Sequence, residues 1–89
     1  MTRGEYRVGI TFNPSNDDMV GKIKRAAADL IDLIDSIEIP VHHDPDGPAA
    51  EFHLSSQFGE IKRLKFLAQT EVESAAMWAV KAATKGPME

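Results

Sequence analysis

The chain has 89 residues, 43% of them apolar and 27% charged, with a formal net charge of −4 and no cysteine. That make-up fits one folded domain: it is too short for two enzyme domains, too apolar for a disordered chain and too acidic for a DNA coat. Disulfides, thiolate catalysis and cysteine zinc sites are excluded, so stability must come from packing, within or between chains.

No run of eighteen apolar residues exists, and Met1-Thr2-Arg3-Gly4-Glu5 lacks the apolar stretch of a signal peptide. The expected address is the cytoplasm, with no membrane partner. From Tyr6 to Phe12 the apolar residues alternate: Tyr6, Val8, Ile10 and Phe12 share one face, and Arg7, Gly9 and Thr11 the other. The alternation predicts an extended arm over residues 1–14 that must lie on a helix or a neighbouring chain, because a lone strand cannot cover its apolar face.

Asn13-Pro14-Ser15-Asn16-Asp17-Asp18 concentrates helix-start signals, capping oxygens and acids that complement the helix dipole. A helix is expected over about residues 15–38. Its seam is Val20, Ile23, Ala27, Leu30, Ile34 and Ile37, widened by Met19, Ala26, Ile31 and Leu33. Pro40 should end it. A loop is expected over about residues 39–55, where prolines and a glycine replace periodicity. A second helix follows over about residues 56–85. Its stripe is Ile61, Leu64, Ala68, Val72, Ala75, Ala79 and Ala83, and Gly86-Pro87 stops it.

The fold expected for residues 1–89 is therefore a single all-α domain, an antiparallel helical hairpin with an extended N-terminal arm. A hairpin buries one side of each helix. Burial at roughly 25 cal/mol per Å² against about 1.5 kcal/mol of entropy per ordered residue leaves a lone pair near zero, which predicts a homo-oligomer.

Candidate chemistry is sparse. His42-His43-Asp44, with His53 further on, fits no strong metal motif and reads as turn chemistry in a solvated loop. Asp29, Asp32 and Asp35 should face Lys62, Arg63 and Lys65 as surface ion pairs, and Lys81 and Lys85 should lie near Asp17 and Asp18. Trp78 and Met77 read as packing. Lys22, Lys24 and Arg25 lie close in sequence to Tyr6 and Phe12. On spacing alone this is an ordinary solvated face; its functional reading is an aromatic for a base and a cation for phosphate. No phosphate loop, serine elbow or HExxH motif occurs, so an enzyme is not expected.

Three stretches carry a resemblance: Arg7-Val8-Gly9-Ile10-Thr11-Phe12-Asn13-Pro14-Ser15, then Val20 with Ile23-Lys24, then Glu73-Ser74-Ala75-Ala76-Met77-Trp78-Ala79-Val80-Lys81. The pattern resembles the phage anti-CBASS sponge proteins of the second type, whose helical-hairpin domain also occurs in a Thoeris anti-defence protein. It spans the arm and both helices and skips the loop.

The resemblance implies a small homo-oligomer, typically a hexamer, in the cytoplasm of an infected bacterial host cell. It implies binding of cyclic oligonucleotide messengers without cleavage, which starves the CBASS effector, and it implies no cofactor. Cyclic dinucleotides such as cyclic GMP–AMP would bind between paired protomers, using an N-terminal aromatic, here Tyr6 or Phe12, and a lysine early in the first long helix, here Lys24. Asn13, next to Phe12, and Lys22, near Lys24, complete that candidate set. Cyclic trinucleotides would occupy a separate interface with an arginine early in the last helix, here Arg63. Ala26 stands where a small hydroxyl residue is expected there, a departure that weakens the trinucleotide half. The competing reading is a helical protein-interaction module or inhibitor that offers an amphipathic face to a host protein.

Overall fold

Thr2 and Glu5 start a helix reciprocally: Thr2 Oγ1 accepts the Glu5 amide at 3.1 Å, and Glu5 Oε1 accepts the Thr2 amide at 2.8 Å. In the computed structural model this capping box opens α1, Arg3–Val8, and Gly9 closes it in the left-handed region at φ 64°. The structure describes the backbone of residues 1–39 and 48–88 and the side chains of residues 1–39 and 57–88. Two long helices follow, α2 over Asp18–Asp35 and α3 over Pro48–Ala83, with no strand among the described residues.

The all-helical expectation holds, and the extended arm does not. Residues 3–8 are helical and turns follow them. The alternation from Tyr6 to Phe12 is outweighed by local chemistry: a Thr-x-x-Glu start and a glycine stop set the backbone first. Tyr6 and Phe12 are 77% and 69% exposed in one chain, so no helix of the same chain covers them.

The boundaries also move. α2 starts at Asp18 because Asp17, whose carboxylate accepts the Met19 amide at 2.8 Å, is its cap. α3 starts at Pro48, not near residue 56, so the later part of the expected loop is helical. Proline suits a first helical position because its missing N–H would have no partner there. Residues 40–47, with the His42-His43-Asp44 turn, lie outside the described residues, as does the side chain of His53.

α2 and α3 run antiparallel. Lys65 Nζ donates to the Asp35 and Ile37 carbonyls at 2.9 and 2.8 Å, and Gln69 Nε2 donates to the Ile31 carbonyl at 3.1 Å. At 1.5 Å per residue the 18-residue α2 is about 27 Å long and the 36-residue α3 about 54 Å, so the first part of α3 runs beyond α2. The extents are 67 × 27 × 13 Å, the last close to one helix diameter. A radius of gyration of 18.4 Å, against about 12 Å for a compact domain of this length, marks a single layer with two open faces.

The core consists of Val20, Ala27, Ala28, Ile31 and Ala76, with Lys24 and Gln69 buried among them. The expected seam is thus rotated: Leu30 and Ile37 are 44% and 50% exposed, while Ala28 and Ile31 lie at the centre. The cause is α1, which claims part of the α2 surface. Gly4 sits directly on α2, where any Cβ would be driven into the Ala28 carbonyl oxygen, and its amide donates to Asp32 Oδ1 at 2.8 Å.

Charged groups strap the rest of α1 down: Arg3 to Asp35 at 3.1 Å, Glu5 to Arg25 at 2.9 Å and Arg7 to Glu73 at 3.0 Å. Asp32 and Asp35 therefore bond to α1 and Asp29 to Arg25, not to Lys62, Arg63 and Lys65 as expected. Lys65 caps the end of α2 instead, and Arg63 turns to Glu60 at 2.7 Å. Asp18 pairs with Lys22 at 3.3 Å, not with Lys81 or Lys85. On α3, Leu64, Leu67 and Trp78 are 50%, 46% and 68% exposed, on the side away from Gln69 and Ala76. Trp78, expected to pack, does not pack within one chain.

Candidate ligand groove

Of the three cations in the basic cluster, only Lys24 is buried, at 7% exposure. Its position on α2 between Val20 and Ala27/Ala28 makes it part of the core face, and its stem runs inward with theirs. The ammonium emerges under the turn after α1, donating to the Gly9 carbonyl at 3.0 Å and to the Phe12 carbonyl. It also lies 5.4 Å from the centre of the Phe12 ring, within cation–π range. The turn is shaped to receive it: Gly9 is left-handed, and the Phe12 amide folds back onto the Gly9 carbonyl at 2.9 Å.

Two cavities meet at Lys24. One, of about 470 Å³, runs between α1 and the end of α3 and is lined by Arg7, Val8, Lys24, Glu73, Ala76, Met77, Val80, Lys81 and Thr84. The other, of about 250 Å³, lies under Phe12, Asn13, Pro14 and Ser15 and shares Lys24, Val80 and Thr84 with the first. Volumes of this order, with apolar walls and a few polar groups, are those of small-molecule sites. The larger groove holds three cations and one carboxylate. Arg7 is bound there to Glu73, with support from Thr70 Oγ1 at 3.2 Å and Gln69 Oε1 at 3.4 Å. Lys81 Nζ sits 5.5 Å from the Trp78 ring at the outer edge.

A third, shallower depression, beside the start of α2, contrasts with these. It holds Lys22 and Arg25 but also Asp17, Asp18 and Asp29. Lys22 is matched by Asp18, and Arg25 by Glu5 and Asp29 at 2.9 and 2.7 Å. Glu5 is held down at about 2, first by the Thr2 amide and then by the Arg25 guanidinium, and Arg25 is raised in return by Glu5 and Asp29. These charges are spent on one another. Among the described residues Lys24 has no carboxylate within ion-pair distance.

The candidate residues separate accordingly. Phe12, Asn13 and Lys24 come together around the smaller cavity, where Asn13 Nδ2 also donates to the Asp17 carbonyl at 2.9 Å and steadies the turn. Tyr6 projects from α1 and lines neither cavity, and Lys22 lies in the shallow depression. Arg63 is ten residues before Glu73, about 15 Å along α3. Its hydrogen bond to Glu60 raises it and lowers its partner, so it belongs to a different part of the surface.

Arg7, Glu73, Val80, Lys81 and Thr84 form groove walls that residue-by-residue reasoning did not select. All but Thr84 lie in the two longest motif stretches, residues 7–15 and 73–81, which the fold brings face to face. Gln69 is fully buried and carries Arg7 from below, and no hydropathy pattern marks it.

Among the described residues no group of His, Cys, Asp and Glu could hold a metal ion, and no helix is long and apolar enough to cross a membrane. A family model described as the Acb2/Tad1 hairpin domain matches residues 5–84. No curated protein and no solved structure matches the chain.

Proposed function

The chain belongs to the Acb2/Tad1 hairpin-domain family, and from that membership we propose that it is an anti-defence sponge that binds cyclic oligonucleotide messengers and withholds them, uncut, from a CBASS effector. The observation that carries this reading is Lys24. A buried ammonium without a carboxylate is costly, and two carbonyl oxygens answer only two of its three N–H groups. An anionic oxygen entering the groove supplies the missing partner, and Arg7 and Lys81 on the same walls add to the positive field. The aliphatic walls and the exposed Phe12 ring suit the flat, apolar faces of bases. Of the two aromatics, Phe12 is the better stacking partner because it shares a cavity with Lys24.

The ligands proposed are cyclic dinucleotides such as cyclic GMP–AMP. Cyclic trinucleotides are proposed for a second interface at Arg63, which stands exposed on the part of α3 that runs beyond α2. Self-association, as a homohexamer, belongs to the same proposal. One chain leaves Leu33, Leu64, Leu67, Met77 and Trp78 between 46% and 69% exposed, and a second copy is the simplest cover for a single layer of helices. The working place of such a sponge is the cytoplasm of an infected bacterial cell.

Calorimetry with cyclic GMP–AMP, followed by heating and chromatography of the released nucleotide, tests the proposal. Tight binding with intact recovery is expected. A converted product would mean an enzyme. Indifference to every cyclic nucleotide tried would hand the exposed helix faces to the protein-interaction reading.

A further inference from the structure

Glu73 holds Arg7 with one oxygen and turns the other to the groove. It is the only carboxylate among the lining residues, facing Arg7, Lys24 and Lys81. A phosphate would be repelled there, so a ligand group that meets it is neutral and donates hydrogen bonds. Its Oε2 accepts from Arg7 at 3.0 Å, while its Oε1 has no hydrogen-bond partner among the described residues, and its side chain is 34% exposed. Arg7 is fixed from behind by Gln69 and Thr70, so the carboxylate is held in one place at the groove wall.

We infer that Glu73 reads the base of a bound cyclic dinucleotide and selects guanine. This inference rests on the cyclic-dinucleotide reading above. Guanine is the common base whose Watson–Crick edge sets two donors, N1–H and the N2 amino group, side by side. Adenine and cytosine each pair one donor with an acceptor on that edge, and uracil flanks its single donor with acceptors. A carboxylate accepts both guanine donors and is repelled by ring acceptors. A site built to receive donors rejects ligands that lack them more strongly than an apolar site rejects a change of size, because its own polar atom is left unpaired.

The test compares affinities of the full chain for cyclic di-GMP, cyclic di-AMP and cyclic di-inosine monophosphate, whose base is guanine without the N2 amino group. Cyclic di-GMP is expected to bind at least about tenfold tighter than either of the others. In Glu73→Gln, checked for wild-type helicity and assembled mass, that preference is expected to shrink to within about threefold. The inosine comparison needs no substitution, so the guanine preference can be refuted even where the variant fails to fold. Equal binding of all three ligands, or a guanine preference that survives Glu73→Gln, overturns the role of Glu73 while leaving the sponge intact. Absence of binding to any of them removes the sponge and this inference together.

Discussion

Replacing Lys24 with methionine separates its fastening of the turn, seen in the structure, from the proposed holding of a ligand phosphate. Methionine keeps the length of the buried stem and removes the ammonium, so the Gly9 and Phe12 carbonyls lose their shared donor. Hydrogen bonds to a charged group contribute about 1.5–3 kcal/mol each, roughly 3–6 kcal/mol for two. Against this, the ammonium at 7% exposure no longer has to be desolvated without a carboxylate, and that relief is itself several kcal/mol. Gly9 keeps the Phe12 amide as a partner, and the Phe12 carbonyl sits in a residue exposed enough to find water.

The expected net loss for Lys24→Met is therefore modest, about 1–2 kcal/mol. In a chain of this size that is a fall in Tm of roughly 4–16 °C. It should be measured by circular dichroism at one fixed protomer concentration, since the proposed assembly would make Tm concentration-dependent. The local effect should be larger: amide exchange at Phe12 should accelerate while amides in the middle of α2 stay protected. Affinity for cyclic GMP–AMP should fall by about thirtyfold or more. Unchanged exchange in the turn would show that Lys24 does not fasten it. Unchanged affinity would take the ammonium out of the ligand site.

The docking of α1 should be acid-sensitive. Glu5 is lowered from 4.5 to about 2, so its contribution is present above about pH 4.5 and is lost as pH falls through about 2. Amide exchange across residues 3–8 should rise over that window, and Glu5→Gln should remove the dependence; a flat profile in the wild type would refute the assignment. Gly4→Ala forces a methyl group into the Ala28 backbone and should cost about 2 kcal/mol or more, or detach α1 altogether, as read by denaturant unfolding. An unaffected midpoint would mean that α1 is not seated on α2. Trp78→Glu places a charge on the outer side of α3, at a residue 68% exposed in one chain. Light scattering should show a lower assembled mass with helicity retained, and an unchanged mass would move the interface elsewhere.

Much of the helical plan is legible without coordinates because it rests on short-range chemistry. Periodic apolar residues mark α2 and the later part of α3, and Asp17 marks a helix start. The capping box of α1 was equally local, in Thr2-x-x-Glu5 with Gly9 as the stop. It was obscured by an alternation of apolar residues that is too short to outweigh it.

Composition and local geometry follow from the order of residues alone: a cysteine-free helical hairpin with more apolar surface than two helices hide. The same order places a cationic cluster close to two aromatics. Tertiary structure decided which of those groups act together. It rotated the α2 seam onto Ala28 and Ile31 because Gly4 lets α1 approach, and it neutralised Lys22 and Arg25 with nearby acids while burying Lys24 without one. It also laid Glu73 beside Arg7 across 66 positions of chain. Periodicity carries the phase of one helix, whereas pairing across helices depends on register and on a third element competing for the same face, and those are settled only when the chain is folded.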